Sequence, residues 1–129
     1  MFEFIESDDA HLALRYSLED PNTPFPDIWH WGALKQCLVI IRKGHEDIGW
    51  ALCATFLNDL HLHKFFIRPN FRGRGVSVAA AESLVRHLIE RDLSFCIAVI
   101  DDRSERMWSK ALSSIPHKRY SEDTFFVGD

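Results

Sequence analysis

The stretch that decides the fold is Ile67-Arg68-Pro69-Asn70-Phe71-Arg72-Gly73-Arg74-Gly75-Val76. Its proline ends an apolar and aromatic run, residues 60–68, that has the composition of a strand. Its two glycines can take positive φ angles and let the backbone approach a ligand closely. Residues 76–91 then place apolar side chains at helical spacing. The sequence therefore predicts a strand, a glycine-containing turn and a helix in direct succession.

The turn has the features of an anion-binding site. The first N–H groups of a helix have no intrahelical partner and lie at the positive end of the helix dipole. The segment from Lys64 to Arg74 contains Lys64, Arg68, Arg72 and Arg74 and no acidic residue. These features predict a cradle for a diphosphate. From the residues alone, a basic turn that merely closes a strand–helix connection stays open, because the loop lacks the Walker A ending and the Rossmann pattern.

The flanking segments predict one α+β domain over residues 1–129. Helix starts are predicted at Asp8 or Asp9 and at Asp102, where Asp102-x-x-Glu105 has the form of a capping box. The strands at 60–68 and 95–100 are joined by a helix, so we expect them to be parallel. The other predicted strands are 2–6, 37–44, 48–57 and one or two within 118–127, and the predicted helices are 9–19, 76–91 and 102–115, with a further short helix at 28–36.

The composition is that of an ordinary soluble domain. The chain has 129 residues, of which 47% are hydrophobic and 26% charged, and its net charge is −4. That charge argues against a general affinity for nucleic acid or an anionic membrane, and no apolar stretch reaches the roughly 18 residues of a membrane span. Cys37, Cys53 and Cys96 lie in apolar runs and are interpreted as reduced core thiols. We therefore expect a cytoplasmic protein without a signal peptide that binds neither nucleic acid nor membrane.

The turn and its flanks resemble the GCN5-related N-acetyltransferase (GNAT) family. The acetyl-CoA loop of that family reads Arg/Gln-x-x-Gly-x-Gly/Ala, and this chain has Arg72-Gly73-Arg74-Gly75-Val76-Ser77 after Ile67-Arg68-Pro69, with Ser77 as a departure. Ile48-Gly49-Trp50 and residues 95–115 resemble further parts of the family pattern, so the resemblance covers most of the chain. It implies a mixed, mostly antiparallel twisted sheet of six to seven strands, with a central parallel β-α-β crossover and flanking helices.

The resemblance implies an acetyl-CoA-dependent N-acetyltransferase. The acetyl group would move to a primary amine of a small molecule, a peptide or a protein lysine, by direct attack in a ternary complex. The pantetheine arm would lie against strand 64–68, which includes the implied cofactor-binding residues Phe65, Phe66 and Ile67, and would pair with its main chain as an added strand does. An N–H near Phe66 or Ile67 would stabilise the oxyanion. The residues implied to bind the diphosphate are Arg72, Gly73, Arg74, Gly75, Val76 and Ser77.

His61 and His63 are the candidate catalytic residues. An amine is mostly ammonium at neutral pH, and histidine is suited to take a proton in this range. Two residues apart on one strand, the rings should share a face about 6–7 Å apart along it. The pair also resembles the His-x-His of the arylalkylamine branch of the family. The alternative is that both histidines are solvent-facing or satisfied within the sheet. The other histidines have no ligand spacing, so no metal site is predicted.

Trp108 keeps a second function open. Aligning Asp101 with the Asn that the family has at the head of this helix puts Trp108 where the family has a Tyr that protonates the leaving thiolate. Indole offers only an N–H and cannot replace that proton donor. The alternative is a non-catalytic GNAT-like module that binds CoA or a protein partner. Because the chain is short for the family, a homodimer that completes the sheet or the acceptor cleft stays open beside a monomer.

Overall fold

A seven-stranded sheet flanked by three α-helices forms the centre of the computed structural model, which describes residues 1–128. The strand order is β1-β2-β3-β4-β5-β7-β6. Asp129, the last residue of the predicted domain, lies outside the described residues. The elements are β1 (Phe2–Ser7), α1 (Ala10–Ser17), β2 (Lys35–Lys43), β3 (Glu46–Phe56), β4 (Asp59–Ile67), a short 3-10 turn (Pro69–Phe71), α2 (Val76–Glu90), β5 (Phe95–Ala98), α3 (Asp102–Ala111), β6 (His117–Ser121) and β7 (Thr124–Val127).

The sheet is mixed and mostly antiparallel, as predicted. Strands β4 and β5 pair in parallel and α2 connects them, whereas every other neighbouring pair is antiparallel. This confirms a central parallel β-α-β unit. Because both strands of such a unit end at the same edge of the sheet, the starts of α2 and α3 lie at that edge.

Apolar clusters cover both faces of the sheet. On one face, α2 and α3 pack through side chains at helical spacing, with Leu84, Val85 and Trp108 almost fully buried. A second cluster, which includes Ala13 of α1 and Phe66 of β4, covers the other face. Each helix thus buries the stripe that its 3.6-residue period defines. None of the described helices is long and apolar enough to cross a membrane.

The helix predicted at 28–36 is wrong. Residues 28–34 form turns and bends, and β2 begins at Lys35. The backbone N–H of His30 donates to Gln36 Oε1 at 2.6 Å, and that of Leu34 donates to the carbonyl of Thr55 at 2.8 Å. These N–H groups therefore bind a side chain and the neighbouring strand, which leaves no helical hydrogen-bond ladder.

Three boundaries of β5 and α3 also differ from the prediction. The N-cap of α3 is Asp101, whose carboxylate accepts the N–H of Ser104 at 2.7 Å, so the predicted cap at Asp102 is one residue late. β5 ends at Ala98, two residues earlier than predicted, and α3 ends at Ala111. The start of α1 is confirmed, because Asp9 Oδ1 accepts the N–H of Leu12 at 3.0 Å. All three cysteines are free thiols.

Candidate active site

A cavity opens where β4 and β5 separate. Their parallel pairing covers only two residues of each strand and ends at Leu62 of β4 and Ile97 of β5. β4 continues to Ile67 while β5 stops at Ala98, so no described strand lies beside the second half of β4 on this side. A cavity of about 560 Å³ occupies the gap. It is lined by Asp20, Asn22, Pro24, Phe25, Leu62, His63, Phe65, Phe66, Ile67, Arg72, Gly73, Ser77, Ala98, Ile100, Asp101, Arg103, Ser104, Met107 and Trp108.

A β-bulge lies on the wall of the cavity. Leu62 pairs with Cys53 and Lys64 pairs with Leu52, so His63 is an extra residue opposite β3. The extra residue of a bulge is left out of the ladder and the strand bends there. His63 therefore has no partner residue on β3, and it lines the cavity. No glycine or proline marks this position in the sequence, and it was not predicted.

The turn before α2, here called the α2 turn (residues 72–75), is left-handed. The φ angles of Gly73, Arg74 and Gly75 are 100°, 54° and 75°. Gly75 is the N-cap of α2 and no side chain caps the helix. Within residues 1–128, the N–H groups of Ser77 and Val78 donate to no protein acceptor. The turn therefore presents free N–H groups at the positive end of a 15-residue helix, as an anion-binding site requires.

The four basic residues of the predicted anion site do not act together, which corrects that prediction. Lys64 Nζ donates to the carbonyls of Asp27 (2.7 Å) and Ile28 (3.0 Å). Arg68 forms a two-fold ion pair with Glu19, with both N–O distances 2.8 Å, and stacks on the ring of Tyr16. These two cations attach the segment after α1 to the sheet.

Of that group, Arg72 alone lines the cavity in the described chain, and Arg74 is exposed outside it. Arg72 Nε donates to the carbonyl of Ile67 at 2.7 Å, and its Nη2 lies 3.0 Å from Asp20 Oδ2. The N–H of Asn22, and then Arg72, hold the pKa of Asp20 below its usual range. The acidic residues of the N-terminal half thus neutralise much of the positive charge that the local sequence displays.

The predicted cofactor residues are largely brought together. The cavity is lined by Phe65, Phe66 and Ile67 of β4 and by Arg72, Gly73 and Ser77 at the start of α2. Arg74 and Gly75 belong to the same turn, and Val76 is the first residue of α2. Among the described residues, these three do not line the cavity.

The two histidines differ in position. His63 lines the cavity and His61 does not. Both rings contact Phe56, at centroid distances of 5.3 Å for His61 and 5.2 Å for His63, so they share a side of the strand despite the bulge. The ring of His30 lies 5.0 Å from that of His63 and was missed by the sequence reasoning, because the segment 28–36 was given the wrong structure.

Both histidines are neutral near pH 7. Burial, reinforced by the neighbouring charges of His30, Lys64 and His61, lowers the pKa of His63 to about 4. Burial also lowers the pKa of His61, although Asp59 opposes the shift. His63 can therefore accept a hydrogen bond in the cavity but holds a proton weakly.

Trp108 belongs both to the core and to the cavity. Its side chain is 2% exposed, and its ring lies 5.3 Å from that of Phe65. Ser104 of the same helix lines the cavity, whereas Tyr120 is 73% exposed and lies outside it. Within residues 1–128, no three His, Cys, Asp or Glu side chains are grouped to hold a metal ion.

The mixed sheet, the cavity at its parallel pair and the left-handed turn before α2 are the features expected of the GNAT fold. A family model described as the acetyltransferase (GNAT) family matches residues 8–112. The chain therefore belongs to the GNAT acetyltransferase family, whose enzymes use acetyl-CoA. No curated relative matches the sequence.

Solved structures share this fold over nearly their whole length. One is the E. coli protein YhhK, provisionally assigned as an N-acetyl transferase and bound to coenzyme A (TM-score 0.64, 10% identity, 100% of this chain and 99% of that one). Another is an acetyltransferase from Thermus thermophilus (TM-score 0.60, 14% identity, 98% and 94%). A third is the PaiA N-acetyltransferase from Thermoplasma acidophilum in complex with coenzyme A (TM-score 0.59, 8% identity, 98% and 96%). At these identities the likeness shows the fold.

Proposed function

We propose that this protein transfers the acetyl group of acetyl-CoA to a primary amine by direct attack while both substrates are bound. The observation that carries the proposal is the left-handed α2 turn, which leads from the half of β4 that has no strand on its β5 side into a helix with free N–H groups. A diphosphate linked to an extended arm fits this succession, because one part needs N–H donors and the other a strand edge.

The cavity fits the cosubstrate in size and in chemistry. Its volume of about 560 Å³ is within the usual range of small-molecule sites. Beyond Leu62, the edge of β4 that faces β5 has no neighbouring strand, which supports an added strand formed by the amide-containing pantetheine arm. The free N–H groups of Ser77 and Val78 support binding of the diphosphate. The Ser77 side chain is small, so its departure from Gly or Ala leaves the approach open.

The thioester carbonyl requires a donor where negative charge develops during attack. The family resemblance implies an N–H near Phe66 or Ile67, but the bulge favours His63, which has no partner residue on β3. A preorganised N–H in a site shielded from water stabilises the tetrahedral oxyanion. The amine nitrogen forms the new bond to the acyl carbon, the carbon–sulfur bond breaks, and the CoA thiolate leaves.

The amine must lose a proton around the time of attack. In our proposal the neutral ring of His63 accepts a hydrogen bond from the amine and passes the proton onward. Because its pKa is about 4, the His63 ring does not stay protonated near pH 7 and passes the proton on to solvent. His61, whose ring contacts the same Phe56 ring, is the proposed next acceptor, reached through water.

A specific observation favours a second candidate function. The buried Trp108 places no ionisable donor where a thiolate would be protonated. This supports the alternative of a non-catalytic module that binds CoA or a protein partner. A CoA thiolate is already a good leaving group, and therefore we favour the enzyme.

One experiment separates these functions. The protein is incubated with acetyl-CoA and a panel of primary amines and lysine peptides, and thiol release and acetylated products are followed by mass spectrometry. Isothermal calorimetry measures CoA binding on the same preparation. Product formation with at least one amine supports the enzyme, and CoA binding without any product supports the module. No binding at all would refute both roles for the cavity.

A further inference from the structure

One cation in the cavity has no partner. Arg103 lies in the first turn of α3 and lines the cavity, and within residues 1–128 its guanidinium forms no ion pair and no hydrogen bond. The first turn of a helix favours acidic side chains, because the helix dipole is positive there. The acidic group that acts on Arg103 from across the cavity is Asp20, whose pKa Arg103 helps to lower, and Asp20 is already paired with Arg72.

The other charges that line the cavity are already engaged. Arg72 binds Asp20 and the carbonyl of Ile67. Asp101 caps α3 through the N–H of Ser104. Arg103 is thus the cavity cation whose donors are all free in the described chain, and no sequence pattern indicated it beyond a basic residue in a helix.

Building on the proposed function, we propose that Arg103 binds a phosphate group of the acyl-CoA cosubstrate. The phosphate site would then be shared between the start of α2, which supplies N–H groups, and the start of α3, which supplies a guanidinium. The planar fork of arginine matches phosphate oxygens in a bidentate manner, and such charge-assisted bonds are among the strong ones.

The parallel β-α-β unit explains how two distant segments reach one phosphate. Strands β4 and β5 run in the same direction, so the helices that follow them start at the same edge of the sheet. The cavity reaches both helix starts, with Gly73 and Ser77 on the α2 side and Arg103 and Ser104 on the α3 side.

The test compares two arginines of the same helix. Arg103→Gln and Arg106→Gln remove the same charge from two exposed side chains of α3, but of the two only Arg103 lines the cavity. Calorimetry measures the dissociation constants for CoA, for 3′-dephospho-CoA and for pantetheine, which has no phosphate. We expect Arg103→Gln to weaken CoA binding about 10-fold, and Arg106→Gln to change it less than about twofold. Thermal unfolding of the unliganded variants checks that both remain folded.

The three ligands identify the phosphate and separate the possible failures. A loss that persists with 3′-dephospho-CoA assigns Arg103 to the diphosphate, and a loss seen only with CoA assigns it to the 3′-phosphate. Equal CoA binding by the two variants, or an equal loss with pantetheine, would overturn the role of Arg103 and leave the proposed function standing. If the unmodified protein binds no CoA, the proposed function itself fails.

Discussion

Among residues 1–128, two turns contain consecutive left-handed residues, and one of these two turns lies at the cavity described above. In the β2–β3 turn, Gly44 and His45 have φ angles of 59° and 73°. It joins two antiparallel strands directly, as a hairpin turn with two left-handed residues does. The α2 turn joins a strand to a helix and leaves helix N–H groups free. A left-handed glycine thus allows the chain to reverse direction in both turns. It contributes to a binding site only where free N–H groups and a cavity lie beside it, as at the α2 turn.

The largest expected effect is on acetyl-CoA affinity, when a negative charge is placed in one turn or the other. Gly75→Glu brings a carboxylate to the proposed diphosphate site, so like charges repel and acetyl-CoA affinity should fall at least about 100-fold. Gly44→Glu is the matched control, because its φ is also left-handed and a Cβ at either glycine meets nothing within 4 Å. Calorimetry with acetyl-CoA measures both variants. Equal affinities would remove the α2 turn from the binding site.

The next effect separates binding from chemistry. In our proposal the α2 turn binds acetyl-CoA and the two histidines carry the proton. The double variant His61→Ala with His63→Ala should therefore keep acetyl-CoA affinity within about threefold while turnover falls about 10- to 100-fold. The variant should also change the pH profile of turnover, because the relay to solvent is lost. His11→Ala, an exposed histidine on α1, is the control. An unaltered rate and pH profile in the double variant would show that the proton leaves by another route.

Comparing the turns also shows what sequence reasoning can and cannot reach. The α2 turn was predicted because its glycines, the proline before it and the periodic helix after it all lie within one short stretch. The ion pair of Arg68 with Glu19 joins residues 49 positions apart, and no local pattern specifies it. The bulge at His63 was missed because it arises from the pairing of β4 with β3, which a single strand does not display.

The helix predicted at 28–36 is wrong for a related reason. Its aromatic and apolar residues allow a helix, but the N–H of His30 donates to the side chain of Gln36 in the same segment, and the N–H of Leu34 donates to the carbonyl of Thr55 on β3. A local side chain and a neighbouring strand therefore override a weak helical preference. Local sequence does not indicate the proposed phosphate-binding role of Arg103 either, because that role depends on which of its neighbours are already paired.

A smaller effect concerns the pH dependence of stability on the cavity side. The pKa of His63 is about 4 in the folded protein and near 6.5 when unfolded. The unfolded chain therefore binds more protons between these values, so the free energy of unfolding should decrease as pH falls from about 6.5 to about 4. His63→Gln should flatten this part of the curve, and His11→Ala should not. Urea unfolding at several pH values measures it, and an unchanged slope in His63→Gln would assign the loss to other groups.

The smallest effect tests whether the two turns are alike when no ligand is bound. Gly44→Ala and Gly75→Ala each force a side chain into the left-handed region, so each should lower the free energy of unfolding by about 1 kcal/mol. Neither Cβ meets a neighbour, so backbone conformation is the dominant cause in both. Urea unfolding without ligand should give similar losses.

With acetyl-CoA at about 100 times its dissociation constant for the unmodified protein, the free energy of unfolding of the unmodified protein and of Gly44→Ala should each increase by about 2.7 kcal/mol. Gly75→Ala should gain less, because its turn must hold the free N–H groups in place; an equal gain would mean that binding does not depend on the geometry of this turn.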